Sequence, residues 1–158
     1  METVPLGLIW RLMSWLPGFI LRWFFSKDWL STHIRIDLRP RHDPVLIQGG
    51  ELPEAQIWLT ITNKGHFPVE LDRFTVDFGI AGAAVRFHVL KRQALAANAE
   101  LEVLVRGALS HAHTEHLKRN LARPNITVQM QAEFNSKVHN FSVDTGQLSG
   151  IKPELLNL

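Results

Sequence analysis

From residue 34 onward, apolar and polar residues alternate along most of the chain, and this pattern constrains the fold more than any other feature. Ile34, Ile36 and Leu38 alternate with charged residues, as in a strand that buries one face. Similar segments recur, separated by turn residues, and this spacing predicts an antiparallel β-sandwich. The residues that we expect to face its core are Ile57, Leu59, Ile61, Phe74, Val76, Val103, Val105, Val128 and Met130.

Two local features modify this pattern. The apolar parity changes near Asp72-Arg73, which predicts a β-bulge or a strand that changes sheets. The segment 110–124 has a helical pattern, with Ser110 as its N-cap and Pro124 beyond its end. The predicted fold is therefore mainly β, an Ig-like antiparallel sandwich with one helix between late strands.

The N-terminal stretch "LGLIWRLMSWLPGFILRWFF", residues 6–25, follows a different rule. Wound as a helix, it places a thin polar stripe along an otherwise apolar surface, with Pro17 predicted to kink it near Leu16. We therefore expect an amphipathic helix that contacts a membrane. The stripe consists of Gly7, Arg11, Ser14, Gly18 and Arg22.

The tryptophans favour a helix that lies in the membrane interface over one that spans it. Trp10, Trp15, Trp23 and Trp29 are spread along the segment, whereas a spanning helix more often gathers them at its ends. An Arg at mid-bilayer also costs about 2.5–3.5 kcal/mol. The residues predicted to bind the membrane are Trp10, Arg11, Leu12, Trp15, Leu16, Phe19, Ile20, Arg22, Trp23, Phe24, Phe25 and Trp29.

Three other interpretations of this segment were weighed. A cleaved secretory signal is disfavoured because the start carries Glu2, has no base, and no small-residue cleavage site follows Phe25. Residues 4–25 could instead form a core helix of the following domain. If the segment spans, the bases that follow it keep the sandwich on the cytoplasmic side, where we expect it. The small residues of the stripe also predict a homo-oligomer through this helix.

These features divide the chain of 158 residues into a membrane-associating segment at 1–30, the sandwich at 31–150 and a weakly structured tail at 151–158. Formal charge is only +2, which does not favour nucleic acid as a partner. Cysteine is absent, which excludes disulfides, thiolate zinc sites and a cysteine nucleophile. No cofactor is indicated.

One local cluster has side chains that could bind a metal ion: His111, His113 and His116. His113 and His116 share a helix face, so they are the metal-ligand candidates, and no H-E-x-x-H pattern accompanies them. No nucleophile-elbow, Walker or dinucleotide motif occurs. We therefore expect solvated helix residues here and a protein without catalytic residues.

From Ile34 to Pro153 the order of elements resembles the group-2 late-embryogenesis-abundant domain, also called the water-stress and hypersensitive-response domain. The resemblance is carried by "IWLTITNKGHFPVEL", "ELEVLVRG", the helix that follows, and "FSVDTGQLSGIKP". Lys64-Gly65 stands where the family has Pro-Asn. The resemblance implies a β-sandwich and makes lipid handling plausible.

The expected function is that of a noncatalytic, membrane-anchored structural or adaptor component of a membrane-associated assembly. The alternative is a domain that binds or transfers a lipid or another apolar ligand, and a metal-dependent role through the histidines is a third. An open apolar groove between the sheets would favour the lipid binder, whereas a closed core would favour the adaptor.

Overall fold

In the computed structural model, which describes residues 13, 15–40, 43–80, 83–89, 92–120 and 126–157, two β-sheets pack face to face. The predicted mainly β sandwich is confirmed. Within the described ranges, ten strands and three helices follow one another along the chain. The strands are β1 Ile34–Leu38, β2 Val45–Gln48, β3 Glu54–Asn63, β4 Val69–Ile80, β5 Ala83–Val89, β6 Gln93–Leu95, β7 Glu100–Ala108, β8 Ile126–Ser136, β9 Phe141–Ser149 and β10 Glu154–Leu156. The helices are α1 Gly18–Phe24, α2 Lys27–Thr32 and α3 His111–Arg119.

The first sheet is organised around β3. On one side of β3, strand β7 pairs with residues 54–62, from Glu54 opposite Ala108 to Thr62 opposite Glu100. On its other side β3 pairs with β1 along one half and with β2 along the other. Strand β10 then adds to β2 in parallel. The segment predicted as a weakly structured tail therefore contributes an edge strand.

The second sheet is organised around β4 and β8. Strand β4 pairs with β5 and β6 on one side and with β8 on the other, and β9 is paired with β8. The register between β4 and β8 shifts between Leu71 and Arg73. This shift confirms the predicted bulge and lets residues of both parities on β4 face the core.

The core lies between the two sheets and contains all nine positions that the alternation predicted. Each is 6% exposed or less, and the inward residues of β3 alternate with half-buried outward ones along its whole length. Strand pairing with period two explains this, because successive side chains point to opposite faces.

The N-terminal segment is broken into pieces and packs on the domain. Pro17 has extended backbone with ψ of 144°, so α1 begins after it, and α1 ends at the extended residue Phe25. Ser26 then caps α2 by accepting a hydrogen bond from the Trp29 N–H. Among the described residues, no helix has the length and apolar character needed to cross a membrane.

Leu21, Phe25 and Leu30 belong to the same buried cluster as the inward residues of the strands. The alternative that residues 4–25 belong to the core is thus correct for Leu21 and Phe25. The burial of these residues predicts a substantial contribution from the described part of that segment to the stability of the domain.

Candidate functional site

Helix α1 is attached to the domain along one of its sides. Leu21 is fully buried. The Nε of Arg22 donates a hydrogen bond of 2.7 Å to the carbonyl oxygen of Val138 in the turn between β8 and β9. Gly18 lies so close to the carbonyl oxygen of Lys137 that a Cβ atom at this position would clash with it. Packing, a hydrogen bond and a close backbone contact therefore fix which side of α1 faces the protein.

Four large aromatic side chains are exposed to solvent here, three of them on α1 and one, Trp15, before Pro17. Trp15 and Trp23 are 90% exposed, and Phe19 and Phe24 are 67% exposed. Phe19 and Trp23 are four residues apart on α1 and share one side of it. Together with Trp15 and Phe24, we call these exposed rings the aromatic face. A cluster of this kind is uncommon on a soluble domain and is typical of surfaces that contact a membrane or another protein.

The charges beside the aromatic face are basic. Between residues 15 and 27 the chain carries Arg22 and Lys27 and no acid, and Asp28 is the first carboxylate that follows. Arg22 is exposed even though its Nε bonds to Val138, so its guanidinium remains at the surface. An apolar stripe flanked by bases is typical of helices that lie on anionic lipid.

The structure divides the residues predicted to bind the membrane into three groups. Trp15, Phe19, Trp23 and Phe24 are exposed together, with Leu16 and Ile20 half-buried beside them. Phe25 is buried against Phe67, with ring centroids 5.0 Å apart, because the chain turns inward where α1 ends. Trp10, Arg11 and Leu12 lie outside the described residues.

The side chain of Trp29 also packs against its own domain. It is half-buried, and its ring lies 4.7 Å from that of Phe25 and 4.0 Å from that of His33. Phe25 and Trp29 therefore stabilise the junction between α1, α2 and the sandwich, and they are not part of the aromatic face.

The predicted stripe of small residues and arginines has its described members on the docked side of α1. Gly18 and Arg22 contact the β8–β9 turn of their own chain. Gly7, Arg11 and Ser14 lie outside the described residues. A homo-oligomer through this helix stays a prediction, and the close approach of Gly18 is already used within one chain.

The sandwich core is closed in the described part of the chain. Side chains that meet between β3, β4 and β8, such as Leu59, Phe78 and Met130, are at most 1% exposed. The surface clefts lie elsewhere and have polar linings; one of ≈ 720 Å³ covers the outer face of the first sheet beside Arg35, Asp37 and Glu102. No apolar groove between these strands could hold a lipid chain.

Another cleft, of ≈ 500 Å³, lies beside α2 and the start of β9. Its lining includes Lys27, Asp28, Asp72 and Glu133. Asp72 is paired with Arg92 at 2.8 Å, and Glu133 lies 3.7 Å from Arg73. Both carboxylates of β4 and β8 in this cleft therefore have cationic partners.

The histidines of α3 have local structural partners. Ser110 and His113 form a capping box, in which the Ser110 N–H lies 3.3 Å from His113 Nδ1. His116 Nε2 lies 3.1 Å from the side-chain nitrogen of Asn120. Across the described ranges, no group of three or more His, Asp or Glu side chains is placed to hold a metal ion.

A bidentate ion pair joins β4 to β5. Arg86 donates to both carboxylate oxygens of Asp77, at 2.6 and 2.9 Å. These hydrogen bonds hold the pKa of Asp77 below its ordinary value and raise that of Arg86. On α3, the hydrogen bond from Lys118 likewise lowers the pKa of Glu115. Both pairs lie at the surface, where one links two strands and the other links two positions of α3.

No family model matches the chain, and no curated protein matches it. Among solved structures, it is similar to the X-ray structure of the Northeast Structural Genomics Consortium target SoR45. That match has 16% identity and a TM-score of 0.56, and covers 82% of this chain and 94% of the other. The likeness shows a shared fold alone.

Two further similar structures come from solution studies. The protein AT1g01470 from Arabidopsis thaliana is 11% identical, with a TM-score of 0.49 over 72% of this chain and 80% of that one. A provisionally assigned late embryogenesis abundant (LEA) protein, At2g46140.1, is 8% identical, with a TM-score of 0.45 over 91% of this chain and 85% of that one. The fold of this chain is therefore described from its own strand pairing.

Proposed function

We propose that this protein is a noncatalytic component of a membrane-associated assembly and that it holds its β-sandwich on a lipid surface through the aromatic face. The observation that carries the proposal is the two-sided character of α1. One side is fixed to the domain by Leu21 and Arg22, whereas Phe19, Trp23 and Phe24 on α1, and Trp15 before it, are exposed. A helix docked in this way presents a rigid apolar surface to its surroundings.

The exposed rings are large enough to drive association with lipid. Each aromatic side chain carries about 150–250 Å² of surface, and burial of apolar surface contributes about 25 cal/mol per Å². Partial insertion of four rings therefore contributes on the order of 10 kcal/mol before the costs of ordering and desolvation. Tryptophan suits this position because its ring prefers the headgroup boundary while its N–H stays hydrated.

In this proposal α1 lies in the plane of the interface. Its docked side faces the sandwich through Leu21, so only the aromatic face is free to enter the headgroup region. Arg22 and Lys27 then lie at the level of the phosphates. We place the sandwich on the cytoplasmic side, because the cytoplasmic leaflet carries the negative surface potential that attracts such bases.

The closed core favours the adaptor over the lipid-transfer alternative. A transfer domain needs a cavity for an apolar chain, and the residues between β3, β4 and β8 are packed without one. The outer faces of the sheets remain available for other proteins of the assembly.

We also propose that the sandwich is related to the group-2 late-embryogenesis-abundant domains. The support is the sequence resemblance together with the turn after β3, where Asn63 holds the backbone of "NKGHFP". The membrane-binding segment is then an addition to that type of domain.

The test is co-sedimentation of the full chain with phospholipid vesicles. The variant carries Trp15→Gln, Phe19→Gln and Trp23→Gln, which remove the aromatic face without touching the docked side. The matched control carries Leu52→Gln and Leu156→Gln, because these apolar residues are also exposed, at 90% and 42%, but lie away from α1. We expect the variant to stay in solution and the control to sediment with vesicles like the unmodified protein. Equal sedimentation of all three proteins would contradict the proposal.

A further inference from the structure

Strand β7 forms an edge of the first sheet. It pairs with β3 over its full length, from Glu100 to Ala108, and no register shift interrupts the ladder. In the described part of the chain, no other strand pairs with β7. The strand contains no proline. A regular edge of nine residues is able to accept a further strand.

Two hydrogen bonds at the ends of the β3–β7 ladder show which backbone groups of β7 point toward β3. The Asn63 N–H donates to the carbonyl oxygen of Ala99, and the Leu109 N–H donates to that of Pro53. Hydrogen-bonded pairs alternate with non-bonded pairs in an antiparallel ladder, so the odd-numbered residues of β7 bond to β3. The N–H and C=O groups of the even-numbered residues from 100 to 108 therefore point away from β3. Within the described ranges, no hydrogen bond uses these outward groups.

The same even-numbered residues carry the side chains on the outer face of β7, and all of them are exposed: Glu100, Glu102, Leu104, Arg106 and Ala108. Glu102 and Arg106 lie two positions on either side of Leu104, which is 37% exposed. Neither of these charged side chains forms an ion pair with the described residues of its own chain.

This order of acid, apolar residue and base is complementary to itself when it is reversed. If a second copy of β7 lies antiparallel, with the two Leu104 residues opposite each other, Glu102 lies opposite Arg106 of the second copy, and the reverse pair forms as well. Opposite charges directly across an antiparallel pair stabilise it, whereas like charges destabilise it. Glu100 lies opposite Ala108 of the second copy. The overlap is complete, because 104 is the midpoint of the strand.

Other arrangements of the same edge are less favourable. Registers centred on 102 or 106 place like charges opposite each other, and registers centred on 103 or 105 place Leu104 opposite a charged residue. Strand β5 at an edge of the second sheet has Arg86 and His88 and no acid, so it lacks this self-complementarity.

The neighbouring charges of the first sheet do not oppose the arrangement centred on Leu104. Glu54 of β3 and Glu100 of the second copy would lie on either side of Ala108, about 10 Å apart, where salt screens their repulsion. Arg35 and Asp37 on β1 form an ion pair with each other and lie two strands from β7.

We propose that two copies of this chain associate through β7, antiparallel and centred on Leu104, so that their first sheets become one continuous sheet. Five pairs of even-numbered residues then exchange about ten backbone hydrogen bonds. Glu102 pairs with Arg106 on both sides of the two-fold axis. This contact is separate from the aromatic face and from the contact between copies expected for the N-terminal helix. The inference goes beyond the proposed membrane function and does not depend on it, so its test contains no lipid.

The test measures dimerisation of the full chain by analytical ultracentrifugation. Glu102→Arg replaces two opposite-charge pairs at the interface with two like-charge pairs, and Arg106→Glu does the same. Either change should weaken dimerisation at least tenfold. Glu154→Arg is the matched control, because Glu154 is an exposed acid on β10, at another edge of the same sheet. This control should dimerise like the unmodified protein.

Mixing the two single variants tests the assigned pairs directly. A chain with Glu102→Arg and a chain with Arg106→Glu have complementary edges, so their mixture should form heterodimers with an affinity close to that of the unmodified protein. The double variant with both substitutions should dimerise by itself, because its reversed order is again self-complementary. Circular dichroism checks that each variant is folded.

The outcomes decide between this contact and any other. Weak dimerisation of each single variant, recovered in the mixture and in the double variant, supports the inference. A full chain that stays monomeric at about 0.1 mM overturns it. Single variants that associate like the unmodified protein also overturn it, because association through the aromatic face or the N-terminal helix would be insensitive to these charges. Single variants that are weakened but do not recover on mixing contradict the assigned register.

Discussion

Leu21 and Trp23 are two residues apart on α1 and point in opposite directions: Leu21 is 0% exposed and Trp23 is 90% exposed. Two positions of an α-helix differ by about 200°, so one residue can belong to the protein core while the other faces outward. This relationship allows the contribution of α1 to stability to be tested separately from its proposed binding to a membrane.

The first prediction uses this pair. Leu21→Ala leaves a cavity in the core and should lower the free energy of unfolding of the full chain by about 2–5 kcal/mol. Trp23→Ala should change it by about 0.5 kcal/mol or less, yet weaken vesicle binding. Urea unfolding checks the first quantity and co-sedimentation the second. Equal losses of stability would show that α1 does not dock through Leu21.

The second prediction tests the inward and outward sides of β3. Leu59→Lys places an unpaired charge in the closed core and should abolish soluble expression of the full chain. Thr60→Lys is the matched control, because its outward position lies opposite Glu102 on β7 and Asp37 on β1. Its melting temperature should stay close to that of the unmodified protein. A folded Leu59→Lys protein would contradict the assigned register.

The third prediction concerns the buried Asn63. Its side-chain nitrogen donates to the carbonyl oxygens of Phe67 at 2.9 Å and Ala96 at 3.0 Å, and its oxygen accepts from the Gly65 N–H. Asn63→Ala removes these partners and should destabilise the protein by about 1–3 kcal/mol. Asn140→Ala at an exposed position is the control, with an expected change of about 0.5 kcal/mol or less. Denaturant unfolding in which both variants behave alike would show that Asn63 does not hold these loops.

The fourth prediction is a pH dependence from Asp77. Because Arg86 lowers the pKa of this carboxyl in the folded state, the stabilisation is complete above the unfolded pKa, about 4. It is lost as the pH falls through the lower folded pKa. The difference in melting temperature between the unmodified protein and Asp77→Asn should therefore be present at neutral pH and shrink in acid. A difference that grows in acid would reverse the assigned direction of the pKa shift.

The fold could be predicted from the sequence where one face of a strand is buried. Ile57, Leu59 and Ile61 recur at every second position, and the parity change at Asp72-Arg73 marked the bulge, because a bulge exchanges the two faces. Strand β10 was missed because Glu154–Leu156 is too short to show alternation, and its partner β2 is distant in sequence.

The docking of α1 could be predicted only in part. Its surface is apolar on nearly every side, so hydrophobicity does not tell which side meets the core at Leu21 and which side is exposed at Trp23. The polar stripe indicated the docked side, because Gly18 permits the close approach to Lys137 and Arg22 bonds to Val138. We had assigned that stripe to a contact between copies, because small residues serve both kinds of packing equally well.

The most direct test of the membrane proposal measures where the aromatic face lies when vesicles are present. The chain contains no cysteine, so Phe19→Cys provides a single site for a nitroxide label while Trp15 and Trp23 remain in place. Leu52→Cys gives a matched label at another exposed apolar position. On addition of vesicles containing phosphatidylglycerol, the label at position 19 should become shielded from a water-soluble nickel chelate and more accessible to oxygen. The label at position 52 should not change. A label at position 19 that remains as accessible to nickel as it is in water would contradict the account.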